Sequence, residues 1–491
     1  MAYYRNELKK PFKKIPKSVW VSLLLIIIFA LFLRITMSGR YGLDDLLWEH
    51  VRKANNAFES LGFSDFAHTG GHSLLATFAL FLWNDTESIS LLTIIFDTFS
   101  ILLVFCLSYL LFRKKEISLI SSLIFAIIPW QIFISGMGLG ITSSVFFVLL
   151  TLTVLLISKE LKSVELLVLS TFLLLWSCEI KIENLMFGVF FVFVYLRSDY
   201  RLKLKDIRIF LPLILIFFAP LLFWILNSPS LFGIESSVEG QGDFLSLQNM
   251  AKNFPDYMVP HFINRNGNFY PPFIFILSAI GILLFRQQRK GLYFLFIWLL
   301  IWFLIYGSYW NGVQIWRYSL MIHPVFAILS ACGFYVLIKY SSDVLKLKGI
   351  HNYLLIVVVI FIVFSTFPVN AFLGSYNIYS WPSIKEFKEI DQKIEDDSCV
   401  VLQRLKYGRL ENAKLLIDKD RTFIEWPTEE NLFDYNCEKI YYFNLRYYIH
   451  PRPEDIKEYE ENQELFFQNY KTEKFLSIRW LEVYEILGVN F

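Results

Sequence analysis

The sequence predicts a polytopic α-helical membrane protein that ends in a small α/β domain. Three observations predict it. Runs of roughly twenty apolar residues recur along the chain, the length needed to cross a bilayer. Of the 491 residues, 55% are hydrophobic, with 50 Phe, 26 Tyr and 13 Trp. A soluble chain of that length would divide into domains with polar surfaces. Basic residues also cluster after alternate apolar runs, and the stretch beyond Leu373 is soluble in character.

About eleven spans are predicted from these runs. They lie near Val19–Met37, Ser90–Phe112, Ile117–Ser135, Ile141–Ser158, Val164–Cys178 and Leu185–Leu196. The later ones lie near Ile209–Ile225, Pro271–Phe285, Leu292–Tyr306, Tyr318–Ile338 and Tyr353–Leu373. Lys9, Lys10, Lys13, Lys14 and Lys17 precede the first span. Arg113-Lys114-Lys115, Lys159 with Lys162, Arg197 through Arg208, Arg286 with Arg289 and Lys290, and Lys339 with Lys346 and Lys348 follow alternate spans. Alternation puts every cluster on the side of the N-terminus. By the positive-inside rule that side is cytoplasmic. The first run is too long for a cleavable signal, and no small-residue cleavage site follows it.

Two domains are expected: residues 1–373 in the membrane, with outer loops 38–89 and 227–270, and residues 374–491 outside it. In the first loop Leu47, Val51, Ala54, Phe58 and Leu61 are spaced for an amphipathic helix at the interface. His72 to Trp83 is apolar but too short to span, which predicts a second interfacial helix. Asn84-Asp85-Thr86 is a glycosylation sequon on the outer face. In the tail, Ile384–Ile394 and Asp455–Tyr470 read as helices. Cys399–Leu402, Arg421–Glu425, Lys439–Asn444 and Arg479–Leu487 read as strands. No Gly-rich phosphate loop or nucleophile elbow occurs there. Cys106, Cys178 and Cys332 fall in apolar runs and pack as small hydrophobes. Cys399 and Cys437 fall in the outer tail, where a disulfide and two free thiols both fit the sequence.

Asp44-Asp45 is the pair that invites chemistry. Two adjacent carboxylates beside a membrane are expensive unless solvated, paired or used. A site that activates a hydroxyl next to a lipid-borne substrate would use them. Asp44 is also a good N-cap for the helix that begins near Leu47. Arg317 lies at the expected outer end of a span, at headgroup depth, where snorkelling is the plainer role. His72 suits a cap as well as a substrate contact. Glu179, Lys181 and Glu183 break the apolar pattern between two spans. They either pair in a solvated loop or line a cavity, and Glu183 is the candidate for the latter. His261 and Arg265 are candidate substrate contacts in loop 227–270, which has the length of a lid.

The layout resembles the GT-C superfamily of membrane glycosyltransferases, in particular the protein O-mannosyltransferase and aminoarabinose-transferase branch. Asp44-Asp45 is similar to the acidic pair of that family's first outer loop. Gly71-His72-Ser73-Leu74-Leu75 keeps the His of its His-Pro-Pro-Leu-like motif without the prolines. Trp316-Arg317-Tyr318 before His323-Pro324 resembles its late Arg and Pro-containing helix. The charged element that follows the family's third span has no counterpart in Ser135-Gly136-Met137-Gly138-Leu139-Gly140.

The resemblance implies a membrane transferase that uses a polyprenyl- or dolichyl-phosphate-linked sugar and a protein, lipid or glycan acceptor. Asp44 would be the base, with Asp45 its helper or a ligand for a divalent cation. Arg317 would grip the donor phosphate. An oligosaccharyltransferase is the runner-up, although its Trp-Trp-Asp-like motif is not found. A lipid transporter or flippase is the reading from another class, but it calls for internal repeats that the sequence lacks. The formal net charge of +2 gives no reason to expect a nucleic-acid partner.

Overall fold

The computed structural model describes residues 10–38, 71–83, 87–196, 272–285, 289–306, 319–344, 389–395, 397–403, 421–426, 432–435, 437–445, 453–478 and 481–489. These fall into two compact units, one of helices up to Val344 and one that contains all the strands. The chain is a polytopic membrane protein with a small sheet domain. Among the described residues, four helices are long and apolar enough to cross a membrane, or five if a bent pair is one span. The expected spans 209–225 and 353–373 and the helix around Leu47–Leu61 lie outside the described residues.

The helical unit begins with α1 (Lys17–Ser38). Val21, Leu24, Leu25, Ile28, Phe32 and Ile35 are exposed along one side, a lipid-facing stripe. Val19, Leu23, Ala30 and Arg34 are buried along the other. Near the helix start, Val19 and Leu23 pack on Phe105 and Tyr109. Helix α2 (Gly71–Trp83) follows, then α3 (Glu87–Phe112).

The run Ile117–Ser135, expected as one span, is two helices: α4 (Lys115–Ile127) and α5 (Pro129–Ser135), bent by 59°. Pro129 is the cause. It has no N–H to donate and pushes Ile128 out of the helical region, to φ −58 and ψ 115. Helices α6 (Gly140–Leu161) and α7 (Val164–Ile180) come next. Leu185–Leu196, also expected as a span, is a 3-10 turn (Ile182–Gly188) leading into the eight-residue α8 (Val189–Leu196).

Helices α9 (Pro272–Leu284), α10 (Arg289–Tyr306) and α11 (His323–Val344) complete the unit, α11 entered through a 3-10 turn at Ser319–Ile322. Small residues let α9 and α11 touch backbone to backbone. A Cβ on Gly333 would overlap the carbonyl of Leu277, and one on Gly281 that of Leu329. Ser278 and Ser330 meet at 2.9 Å between them, and Ser330 also donates to the carbonyl of Ile274 at 2.7 Å. In lipid, where burial of apolar surface does not drive helices together, such close packing is what does.

The second unit is a five-stranded sheet in the order β2-β1-β3-β5-β4. Its strands are β1 (Cys399–Gln403), β2 (Thr422–Trp426), β3 (Ile440–Leu445), β4 (Tyr470–Ile478) and β5 (Leu481–Val489). β1 runs parallel to β2 and β3, while β5 is antiparallel to β3 and β4. Four strands were expected. β4 is the fifth, at the sheet edge, where Lys471, Glu473 and Lys474 hide the strand pattern. Helix α12 (Pro453–Asn469) covers one face by stacking Phe466 on Tyr442 at 3.7 Å between ring centres. Arg421 ties the segment before β1 to β2. Its guanidinium bonds Asp391 at 3.0 Å, Ser398 at 2.9 Å and the carbonyl of Ile394 at 3.2 Å. Cys399 and Cys437 form a disulfide.

Candidate functional site

Asp44, Asp45, Arg317, His261 and Arg265 lie outside the described residues. Of the residues singled out for chemistry, His72 and Glu183 are placed, both at the junction where α2 begins, α6 begins and α7 ends. Close backbone approach builds this junction. A Cβ on Gly71 would sit 2.6 Å from the carbonyl oxygen of Glu179. Gly138 takes φ 68, a left-handed turn that side chains resist. A Cβ on Gly140 would press on the His72 ring at 3.1 Å. The uncharged Ser135–Gly140 stretch is therefore the bed on which His72 lies.

His72 is 1% exposed. Its Nε2 donates to the carbonyl of Gly138 at 2.9 Å, because a carbonyl can only accept. Nδ1 is then the acceptor for the Ser143 hydroxyl at 3.1 Å. Both ring nitrogens are engaged with protein in one tautomer. Burial drives the ring away from its charged form, and its pKa is pushed down to about 4 from 6.5, with the Gly138 bond opposing. His72 is thus a neutral clasp between α2 and α6. Beside it, Asn184 spends both amide hydrogens, on Ser144 Oγ at 2.7 Å and on the Ser177 carbonyl at 2.8 Å. Glu183 is half-buried in the same turn.

A second polar feature runs through the helical unit, one that hydropathy does not reveal. Arg34 is 0% exposed and its Nε bonds Asp97 Oδ2 at 2.5 Å, also 0% exposed. Arg34 Nη1 reaches the carbonyls of Ala30 at 3.2 Å and Ala126 at 3.0 Å. Ala126 is in the last turn of α4, whose carbonyls lose their helical partners at the Pro129 break. The cation there also suits the negative end of the helix. Asp97 Oδ1 takes a bond from the Gln131 amide, and Gln131 Oε1 takes one from His323 Nδ1 at 2.6 Å. Gln131 and His323 are each 0% exposed. The signal was present in the sequence as an Arg and an Asp inside apolar runs, since ionisable residues at membrane depth mark function by default.

No protein-family model matches the sequence, and no curated protein matches it significantly. Solved structures do match in shape. The apo form of the aminoarabinose transferase ArnT from Cupriavidus metallidurans is 11% identical, with TM-score 0.56, over 96% of this chain and 98% of that one. Its form bound to undecaprenyl phosphate is 11% identical, with TM-score 0.53, over 95% and 98%. The archaeal oligosaccharyltransferase AglB from Archaeoglobus fulgidus, in complex with an inhibitory peptide and a dolichol-phosphate, is 13% identical. Its TM-score is 0.51, over 97% of this chain and 74% of that one. A complex of that oligosaccharyltransferase with Zn and sulfate is 14% identical, with TM-score 0.50, over 83% and 62%. The chain therefore shares its fold with ArnT and AglB. Among the described residues, no group of three or more His, Cys, Asp or Glu is placed to hold a metal.

Two measurements test this geometry. Between pH 6.5 and about 4 the unfolded chain takes up a proton at His72 that the folded chain refuses. Its contribution is intact above 6.5 and is lost as pH falls through that interval, by roughly 3 kcal/mol. His72→Gln removes the titration, so its unfolding temperature should fall less than that of the wild type across the interval. Equal slopes would mean that His72 is not held neutral. The second test is Asp97→Leu, which strands the Arg34 charge and should cost about 3–5 kcal/mol. Arg34→Met combined with Asp97→Leu should regain most of that loss. A single variant that melts like the wild type would contradict a buried pair.

Proposed function

We propose that this chain is an integral membrane glycosyltransferase that moves a hexose or mannose-like sugar from a polyprenyl- or dolichyl-phosphate donor to an acceptor hydroxyl. The observation that carries this reading is the fold it shares with ArnT, over nearly the full length of both chains. In that reading about eleven helices cross the membrane. The cytoplasmic side carries the N-terminus and the basic clusters. Residues 374–491 form the outer domain, which the Cys399–Cys437 disulfide favours, since such bonds persist in oxidising compartments.

The chemistry follows from the donor. A sugar on a lipid phosphate already has its leaving group. Asp44 takes the acceptor's proton, the acceptor oxygen bonds the anomeric carbon from behind, and the bond to the phosphate oxygen breaks with inversion. Charge then develops on the lipid phosphate. Arg317 grips it with its planar fork and stays ionised throughout. Asp45 either steers Asp44 or holds a divalent cation with it. Glu183, His261 and Arg265 are candidate contacts for sugar or acceptor. His72 serves by fixing the start of α2 within loop 38–89. AglB's likeness favours one second reading, transfer to an asparagine amide of an acceptor peptide.

Membranes that hold the protein, given a panel of labelled polyprenyl-phosphate sugars, should transfer label to endogenous acceptors. Asp44→Asn keeps shape and capping ability but cannot take a proton, so transfer should drop by about a hundred- to ten-thousand-fold. Donor binding should persist in that variant and weaken in Arg317→Ala. Transfer by Asp44→Asn within about threefold of wild type, well below the usual base contribution, would return Asp44 to a capping role. Asp45→Asn should lose less, or become dependent on added divalent cation.

Topology has its own test. Protease added to intact cells should remove the residues after Leu373. A tail protected until the membrane is opened would overturn the orientation.

A further inference from the structure

The segment before α1 is folded onto the helical unit. Pro11 and Ile15 are buried, and Phe12 packs on Trp20 and Tyr109, at 6.3 and 5.9 Å between ring centres. Ile15, Val19 and Leu23 pack with Phe105 and Tyr109 of α3 and with Leu119 of α4. Arg113, just after α3, donates to the Pro11 carbonyl at 3.4 Å, lies 5.7 Å from the centre of the Tyr109 ring and pairs with Glu160 of α6. Lys13, Lys14 and Lys17 lie among these anchors and are exposed, as is Lys115 at the start of α4.

Six basic residues, Lys13, Lys14, Lys17, Arg113, Lys114 and Lys115, thus share one corner, set against Glu116 and Glu160. Glu160 is already bound to Arg113. Among the described residues, Lys13, Lys14, Lys17 and Lys115 are in no ion pair. Lys17 opens α1, whose first turn holds no acidic residue, so the partial positive charge of the helix end adds to theirs. Buried residues on either side fix the three N-terminal lysines. An anion therefore meets them without having to order the segment.

The other half of the corner is apolar. Lys17 stands four residues before Val21, on the same face of α1. That face continues through Leu24, Leu25, Ile28, Phe32 and Ile35, each 50% exposed or more. From Val21 to Ile35 is about 21 Å of helix, while the hydrocarbon of one leaflet is about 15 Å deep. Fixed cations at the head of such a stripe suit an amphiphile with an anionic head and acyl chains. A free anion would leave the stripe uncovered, and a neutral lipid would leave the lysines without a counter-charge.

We propose that the corner formed by Lys13, Lys14, Lys17 and Lys115 binds an anionic phospholipid of the bilayer, its phosphate held by the lysines and its acyl chains laid along the Val21–Ile35 stripe of α1. The assignment does not depend on the transferase reading.

The test titrates the purified full-length protein, in neutral detergent, with phosphatidylglycerol, with phosphatidylcholine of the same chains and with glycerol phosphate. Native mass spectrometry counts the bound lipid. Wild type should bind phosphatidylglycerol about a hundredfold more tightly than phosphatidylcholine, roughly fivefold for each of Lys13, Lys14 and Lys17. Glycerol phosphate should not bind at concentrations where phosphatidylglycerol saturates. Lys13→Gln, Lys14→Gln and Lys17→Gln combined should erase the preference and leave the unfolding temperature without added lipid unchanged. The three Lys→Arg changes should keep it to within about threefold, since the charge is retained. Lys393→Gln, Lys439→Gln and Lys471→Gln remove the same charge from the sheet domain and should keep it too.

Equal affinity of wild type for the two phospholipids would overturn the proposal, as would a preference that survives the three glutamines. If the sheet-domain changes erase the preference as well, the attraction is one of net charge and the corner is no site. Glycerol phosphate that binds as tightly as phosphatidylglycerol would leave the stripe without a role. Undecaprenyl phosphate that displaces phosphatidylglycerol at equal concentration would give the corner to that lipid instead. Should the triple glutamine variant not fold, Lys17→Gln alone should still lose about fivefold, and no loss there would count against the proposal in the same way.

Discussion

A guanidinium buried among membrane helices is the constraint around which the helical unit is arranged. Arg34 cannot reach water, and an isolated charge there would be prohibitive. Asp97 neutralises it, and two backbone carbonyls take its Nη1 hydrogens. One of those carbonyls, on Ala126, is offered only because Pro129 breaks the helix just beyond it. The same break swings α5 so that Gln131 meets Asp97 from the other side. Replacing an ion pair of this kind by apolar side chains is often neutral or stabilising. Its value is therefore better placed in register, since it ties α1 to α3 and α4, and α3 to α5.

Other buried hydroxyls in the unit behave differently. Thr98 donates to Ile94, Ser118 to Lys114 and Ser177 to Leu174, each within its own helix. Such bonds hide a polar group and specify nothing about neighbours. Besides the Arg34 chain, two sets of contacts that cross between elements lie beside glycines: the Ser278–Ser330 pair, and the His72–Ser143 and Asn184–Ser144 pairs at the junction. Each sits where backbones approach too closely for a side chain to intervene. The helical unit is specified by a few polar crossings, with apolar filling between them.

This explains what could be read in the sequence. Apolar helices follow from hydropathy alone, so α1, α3, α6, α7, α9, α10 and α11 lie where the apolar runs put them, and α2 was legible from its length. The 59° bend was not, because Ile127-Ile128-Pro129-Trp130 is as apolar as its surroundings and hydropathy does not weigh a missing N–H. Leu185–Leu196 opens as a 3-10 turn before α8, a local detail that hydropathy does not distinguish from α-helix. In the sheet domain, β1, β2, β3 and β5 announce themselves through β-branched and aromatic residues, whereas the charged edge strand β4 does not. His72 was found as a residue, but its role could not be, since Ser143 and Gly138 are far from it in sequence. The Arg34 chain was missed because one charge in each of two apolar runs scarcely lowers their hydropathy.

The same physics accounts for a fold that persists at 11–14% identity. A lipid-facing position must be apolar, and Leu, Ile, Phe and Val meet that need about equally well. Volume-conserving swaps inside the bundle also cost little. Fifty phenylalanines in one chain are an instance of that freedom. Freedom ends at the polar crossings, because a buried donor left without an acceptor is costly. Removing Asp97 cannot be absorbed by repacking, since nothing apolar answers Arg34. What distinguishes this chain from others of its shape is therefore to be sought at Arg34, Asp97, Gln131 and His323 and at the His72 junction. The apolar runs that make up most of its length carry far less of that distinction.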